Sequence, residues 1–276
     1  MSRAALWSNG RVRRDVSAHL ALTVTGPTTL LFSTAVSATG VSVDERLDLR
    51  VDGQLVDPTT FTDHYGSRLH QTECTASRVE FDYAATVRGQ AAAAGAEAID
   101  LVTFLRPSRY CESDALAPTA QAEFDGLEGH KLLGAVAGWV HDRLAYVSGA
   151  SLPTDGAVRT LLARQGVCRD FAHLTIALLR ARDVPARLAS VYAPGLGPMD
   201  FHAVCEAWVD EAWQVVDATW LAPRQSLLRI ATGRDAADTA FLTNNRADVV
   251  LDELEVTAVA DELPDDDDWT SPAQLR

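Results

Sequence analysis

The chain has 276 residues, 47% of them hydrophobic and 22% charged, with 38 acidic against 24 basic side chains and a formal net charge of -14. At about 150 residues per domain the length suggests two domains or one large one, and so much apolar material excludes a disordered chain. No run approaches the roughly 18 consecutive apolar residues of a membrane helix, and the acidic balance repels nucleic acid at long range, so neither a membrane nor a nucleic-acid partner is expected.

From the N-terminus, Met1 to Asp15 carries Arg3, Arg11, Arg13 and Arg14 with no apolar segment after them, unlike a secretory signal. A cytoplasmic protein is expected, in which Cys74, Cys111, Cys168 and Cys205 are reduced thiols unless they bind metal or do chemistry. His19 to Thr25 alternates around Leu20, Leu22 and Val24, and Thr29 to Ser37 is an apolar run after the Gly26-Pro27 break. Leu47, Leu49 and Val51 alternate with charges before a turn at Gly53; Val79, Phe81 and Tyr83 repeat the pattern; Ile99 to Leu105 reads as another short strand. Strands at this spacing predict an antiparallel sandwich or open barrel of roughly 110 residues.

After Pro118 the period changes. Leu132, Val136, Trp139 and Val140 predict a helix over about Phe124 to Tyr146, a second helix runs from about Asp155 to Arg164, and a third starts near Cys168 and ends before Pro185. Strands follow at Ala186 to Tyr192, His202 to Val209 and Trp213 to Thr219, so helices precede strands in an α+β order. Val249 to Val259 adds one strand, and Asp261 to Asp268 is an acidic run with an exposed or disordered look. The division expected is a β-rich domain over residues 1–118, a core over 119–245, and a C-terminal strand with acidic tail over 246–276. Oligomeric state has no signal in the sequence.

Chemistry concentrates in three short stretches. Cys168 follows Gly166-Val167 at the head of a helix, where the macrodipole and unpaired N–H groups favour the nucleophilic form of a thiol. The plain alternative is a buried cysteine of a core helix. On the strand Asp200 to Val209, a period of two puts His202, Val204 and Glu206 on one face. If Asp210 and Glu211 form a two-residue turn, Val209 faces Ala212 and Val204 faces Asp217, which makes Asp217 the diagonal neighbour of His202 at a Cβ separation of roughly 7 Å. A one-residue change in that turn would flip Asp217 to the other face. A thiol needs an imidazole to take its proton and a carboxylate to hold the ring, so Cys168, His202 and Asp217 are the candidate catalytic residues.

These stretches, Gly-Val-Cys-Arg-Asp-Phe-Ala-His at 166–173, Asp-Phe-His-Ala-Val at 200–204 and Val-Val-Asp-Ala-Thr at 215–219, closely resemble the core of the transglutaminase-like superfamily. Trp139 with Leu144-Ala145-Tyr146 is similar to the family's segment upstream of the cysteine, and Leu105 to Cys111 to the end of the β-rich region in its bacterial members. The resemblance implies a papain-like α+β core, helices packed on an antiparallel sheet, behind an all-β sandwich-like domain. It also implies a cysteine protease or amide hydrolase acting on a peptide or amide substrate through Cys168 as nucleophile, His202 as base and Asp217 as orienting acid. Hydrolysis and amine transfer share one acyl-thioester intermediate, and neither needs a cofactor or metal.

Two rivals use the same residues. A zinc site would pair Cys168 with His173 and His202 with Cys205. Five residues along a helix is about 500°, which turns His173 some 140° from Cys168, and Cys205 lies on the strand face opposite His202. The other rival is a binding or scaffolding module whose triad is idle. Arg169 and Asp170 read as a local ion pair or as a substrate or loop contact, and Gln165 as a further oxyanion donor beside the Cys168 N–H.

Overall fold

The computed structural model describes residues 12–37, 41–75 and 77–276. Arg3 and Arg11 of the N-terminal reading lie outside the described residues. Seven strands come first: β1 (Arg13–Val24), β2 (Thr28–Phe32), β3 (Ser42–Val51), β4 (Gln54–Val56), β5 (Thr59–Thr62), β6 (Arg68–Cys74) and β7 (Arg78–Arg88). Helices α1 (Ala98–Thr103), α2 (Ser113–Phe124) and α3 (Gly129–Arg143) follow, then β8 (Ala145–Tyr146), α4 (Ala157–Ala163), β9 (Gln165–Gly166) and α5 (Cys168–Arg180). The chain continues through β10 (Ala186–Tyr192), β11 (Phe201–Val209), β12 (Ala212–Val216), β13 (Leu228–Gly233), α6 (Ala236–Thr239), β14 (Leu242–Asn245) and β15 (Val249–Ala260).

The alternation of β1 and β7 has its expected consequence, with Leu20, Leu22, Val79, Phe81 and Tyr83 buried on one face. Two antiparallel sheets, ordered β15-β1-β7-β3-β4 and β14-β2-β6-β5, close over these side chains, and Phe32 stacks on Phe81 between them with ring centroids 4.4 Å apart. Two of these strands come from the far end of the chain: β15 pairs along β1 from Val24↔Val249 to Arg14↔Ala260, and β14 pairs with β2. The sandwich is therefore built from both ends, whereas the sequence reading left the C-terminal strand in a segment of its own.

The core is the antiparallel sheet β12-β11-β10-β13 with α5 laid across it and α2, α3 and α4 around that helix. Every residue of α5 from Asp170 to Arg180 is buried, the apolar stripe of Phe171, Leu174, Leu178 and Leu179 among them. Arg180 closes the far end by donating to the carbonyls of Ala186, Arg106 and Arg234 and to Ser108 Oγ, at 2.7–3.0 Å.

Three local expectations change. Ile99 to Leu105 lies largely in α1, not a strand: a short apolar run fits either state, and the Asp100 carboxylate accepting the Glu97 N–H at 2.9 Å favours the helix. The helix expected over Phe124 to Tyr146 is α3 alone, preceded by α2, which runs through Pro118; Gly126, at φ +72°, is in the turn that separates them. The acidic tail is partly anchored. Asp266 accepts from the main-chain N–H, Nε and Nη2 of buried Arg224 at 2.8–2.9 Å, and the Ala273 carbonyl accepts the Val215 N–H at 2.7 Å, covering the edge of the core sheet. No helix among the described residues is long and apolar enough to cross a membrane.

Candidate active site

Cys168 is the first residue of α5, and a side chain fixes that helix start. Asp170 Oδ2 accepts the Val167 N–H at 2.8 Å, one of the donors no helix can satisfy internally. A Cβ at position 166 would lie 2.7 Å from the Asp170 Cβ, so only glycine fits before the thiol. Arg169 turns away to Ser151 Oγ and the Leu152 carbonyl at 2.5 and 2.6 Å, keeping Asp170 at 3.2 Å, and so joins a loop contact to the local ion pair. Among the four cysteines Cys168 alone is not buried. Burial pushes the Cys111 thiol up to about 12 and the Cys205 thiol well above its ordinary value.

The hairpin has the expected register. Asp210 and Glu211 take φ of 52° and 57° in the two-residue turn, Val209 pairs with Ala212, and the ladder runs to Cys205↔Val216, one step short of Asp217. His202 Nε2 and Asp217 Oδ2 are 2.8 Å apart, with both side chains sealed from solvent. Asp217 Oδ1 accepts from the Thr219 N–H and hydroxyl at 2.9 and 2.7 Å, so both carboxylate oxygens are committed. Burial would lower the His202 pKa, but Asp217, with a smaller contribution from the neighbouring Cys168 thiol, overcomes it and raises the ring to about 10. Burial opposes ionisation of Asp217, yet His202 and Thr219 hold it below the usual carboxylate range. Among the described residues the second ring nitrogen, Nδ1, has no partner besides the neighbouring Cys168 thiol.

Cys168 and His202 open together on a cavity of about 480 Å³, walled by Leu188, Phe201, Ile230 and Phe241 and, from the sandwich, by Ser33 and Leu242. The sandwich thus supplies one side of the cleft.

Neither second member of the zinc pairs faces this cleft. His173 Nε2 accepts the Ala236 N–H at 3.1 Å under a stacked Tyr110 ring, and Cys205 is in the core beneath α5. Gln165 is exposed on β9.

Two contributors carry no assigned role in the sequence reading. The parallel pairing Tyr146↔Gly166 brings Tyr146 beside the nucleophile, where burial and the Cys168 thiol raise its phenol pKa against an opposing contribution from the Cys168 main chain. The only signal was its place after the upstream helix. His141 of α3 hydrogen-bonds through Nδ1 with the Ala218 carbonyl at 3.0 Å and stacks on Trp220, bracing the chain just after Asp217.

The profile of the transglutaminase-like superfamily matches residues 125–218, which contain all three candidate residues. A solved structure of a candidate cysteine protease from Cytophaga hutchinsonii is 31% identical, covers 92% of both chains and superposes with a TM-score of 0.83. The chain belongs to the transglutaminase-like superfamily. Relatives from mycobacteria match over a shorter stretch of the chain. An uncharacterised Mycobacterium leprae protein is 29% identical over 126 residues, and one from Mycobacterium tuberculosis 32% over 124. The chain spans less than half the length of each, 44% and 39%.

Proposed function

We propose that this superfamily member is a thiol-dependent amide hydrolase in which Cys168 is the nucleophile, His202 the acid–base and Asp217 the group that orients and charges the ring. The observation that carries the reading is the sealed 2.8 Å His202–Asp217 hydrogen bond, with the remaining ring nitrogen left for the thiol at the head of α5.

His202 takes the Cys168 proton, and the sulfur attacks the carbonyl carbon of an amide lying in the cleft. The oxyanion takes the Cys168 main-chain N–H, and the Tyr146 phenol beside the thiol is placed to donate to the same oxygen. Collapse breaks the C–N bond as the imidazolium protonates the departing amine, leaving a thioester on Cys168. His202 then takes a proton from water, hydroxide adds to the thioester, and the acid and thiol are released. Hydrolysis is preferred over amine transfer because the 31% identical Cytophaga hutchinsonii relative is described as a candidate cysteine protease.

The test is turnover of a peptide and isopeptide library by wild type and Cys168→Ala, with and without added primary amine. Carboxylic acid products from wild type alone support the reading. Amide products that need the added amine indicate a transferase, and equal turnover by Cys168→Ala removes the thiol mechanism.

A further inference from the structure

A second cavity, of about 530 Å³, lies between the sandwich, the 91–97 loop and the core sheet, and shares no lining residue with the thiol cleft. That volume is within the usual range for small-molecule sites. Its floor is an ion cluster that the proposed chemistry does not use. Glu206 accepts from Arg187 Nε at 2.9 Å and from both Nη groups of Arg229 at 2.7 Å. Burial would keep Glu206 protonated, but the two guanidinium groups outweigh it and hold the carboxyl down at about 2. Two cations against one anion leave a net positive charge in the floor.

The unbalanced charge is on Arg187. Its side chain is only 3% exposed, and among the described residues neither of its Nη groups meets an acceptor. Arg229, by contrast, also donates to Thr232 Oγ1 at 2.7 Å. Neither Nη of Arg187 is sealed from solvent, so the open space beside them is the cavity that Arg187 lines. The Trp213, Phe104 and Tyr65 rings stand 3.9, 5.8 and 6.0 Å from the guanidinium carbon. Aromatic contacts serve a guanidinium's faces; the four N–H bonds on its edge call for an acceptor in the plane. A carboxylate supplies two parallel oxygens in that plane.

The walls define the rest of the ligand. Val36, Val41, Leu228 and Leu275 with the alanines of the loop make the apolar part of the enclosure, and Glu97 and Asp100, two carboxylates that offset the Arg276 guanidinium on the same lining, disfavour a dianion. Asp100 is itself engaged, accepting from the Tyr65 hydroxyl and the Glu97 N–H at 3.0 and 2.9 Å, so it does not neutralise Arg187.

We propose that this cavity binds a small apolar monocarboxylate, with its carboxylate on the Nη edge of Arg187 and its body against Val36, Val41 and Leu228.

Calorimetric titration of the full chain with benzoate and hexanoate tests this, with methyl benzoate and inorganic phosphate as controls. One-to-one carboxylate binding is expected, at least about tenfold tighter than phosphate, with none for the ester. Arg187→Met should weaken it at least about tenfold. Should Arg187→Met fail to fold, Ala93→Phe, at an exposed loop position on the cavity wall, fills the space without touching the ion cluster and should give the same loss. Cys168→Ala should bind as wild type does, which separates this site from the thiol cleft. The proposal falls if no carboxylate binds at millimolar concentration, if ester or phosphate binds as well as the acid, if Cys168→Ala abolishes binding, or if Ala93→Phe leaves it unchanged.

Discussion

Two histidines, His202 against the head of α5 and His173 within it, are both sealed from solvent and have opposite chemistry. At the head of the helix, His202 faces a carboxylate 2.8 Å away and its pKa is raised to about 10. A turn and a half along, His173 meets an amide N–H and a tyrosine ring, and burial lowers it to about 3. Burial is common to both, so it does not make a histidine a base. The difference is the carboxylate delivered by the neighbouring strand, which compensates the cost of a buried imidazolium.

The sharpest way to break this comparison is at the thiol. Cys168→Ala should abolish amide turnover while circular dichroism and the thermal midpoint stay near wild type, since the residue is half-exposed at a helix start. Asp217→Asn should come next, lowering kcat/KM by about 10²- to 10⁴-fold with the fold retained. Its pH–rate profile should lose the alkaline limb near 10 and gain one nearer the ordinary histidine value. An unchanged limb would show that Asp217 does not set the ring.

The same pair predicts a stability profile. A folded value raised to about 10 means the His202 contribution is whole below its unfolded value of about 6.5 and is lost as pH rises through about 10. Asp217, depressed in the fold, contributes above its unfolded value of about 3.9 and loses that contribution as pH falls through its folded value. The thermal midpoint should therefore decline from about pH 6.5 to 10, and the decline should flatten in Asp217→Asn.

His173→Phe is the counter-experiment: it leaves the Ala236 N–H without its acceptor and should cost about 1–3 kcal/mol of stability in denaturant unfolding, without moving either limb of the pH–rate profile. The smallest effect expected is from Thr219→Val, which removes one of two donors to Asp217 Oδ1; a loss of kcat of about tenfold or less should appear, and Thr219→Ser should restore it.

How much of this was legible follows from the range of each interaction. The His202–Asp217 pairing could be counted from Asp210 and Glu211, because a two-residue turn dictates the register of its hairpin and a period of two then assigns faces. The start of α5 at Cys168 was readable from Gly166, two residues before the thiol, whereas the capping role of Asp170 is visible only in the hydrogen bond its carboxylate accepts from the Val167 N–H. Strands β5, β6, β13 and β14 had weak local patterns, and the pairings of β6 with β2, β13 with β10 and β14 with β2 join distant stretches of chain. Residues Ile99 to Leu105 misled because a short, mostly apolar run suits a strand or a helix turn equally until neighbours choose.

By itself the sequence determined the order and local chemistry of the site: a thiol at a helix head, then an imidazole and a carboxylate one hairpin apart. Those relations depend on backbone periodicity and short turns, which act over a few residues. Tertiary structure alone decided that β15 returns to pair with β1, that the sandwich walls the thiol cleft, that Tyr146 reaches Cys168, and that Arg187 is left in a cavity with more donors than acceptors. Each of these is a contact between segments far apart in the chain, settled by which surfaces can be buried together, and no periodicity in the sequence encodes that choice.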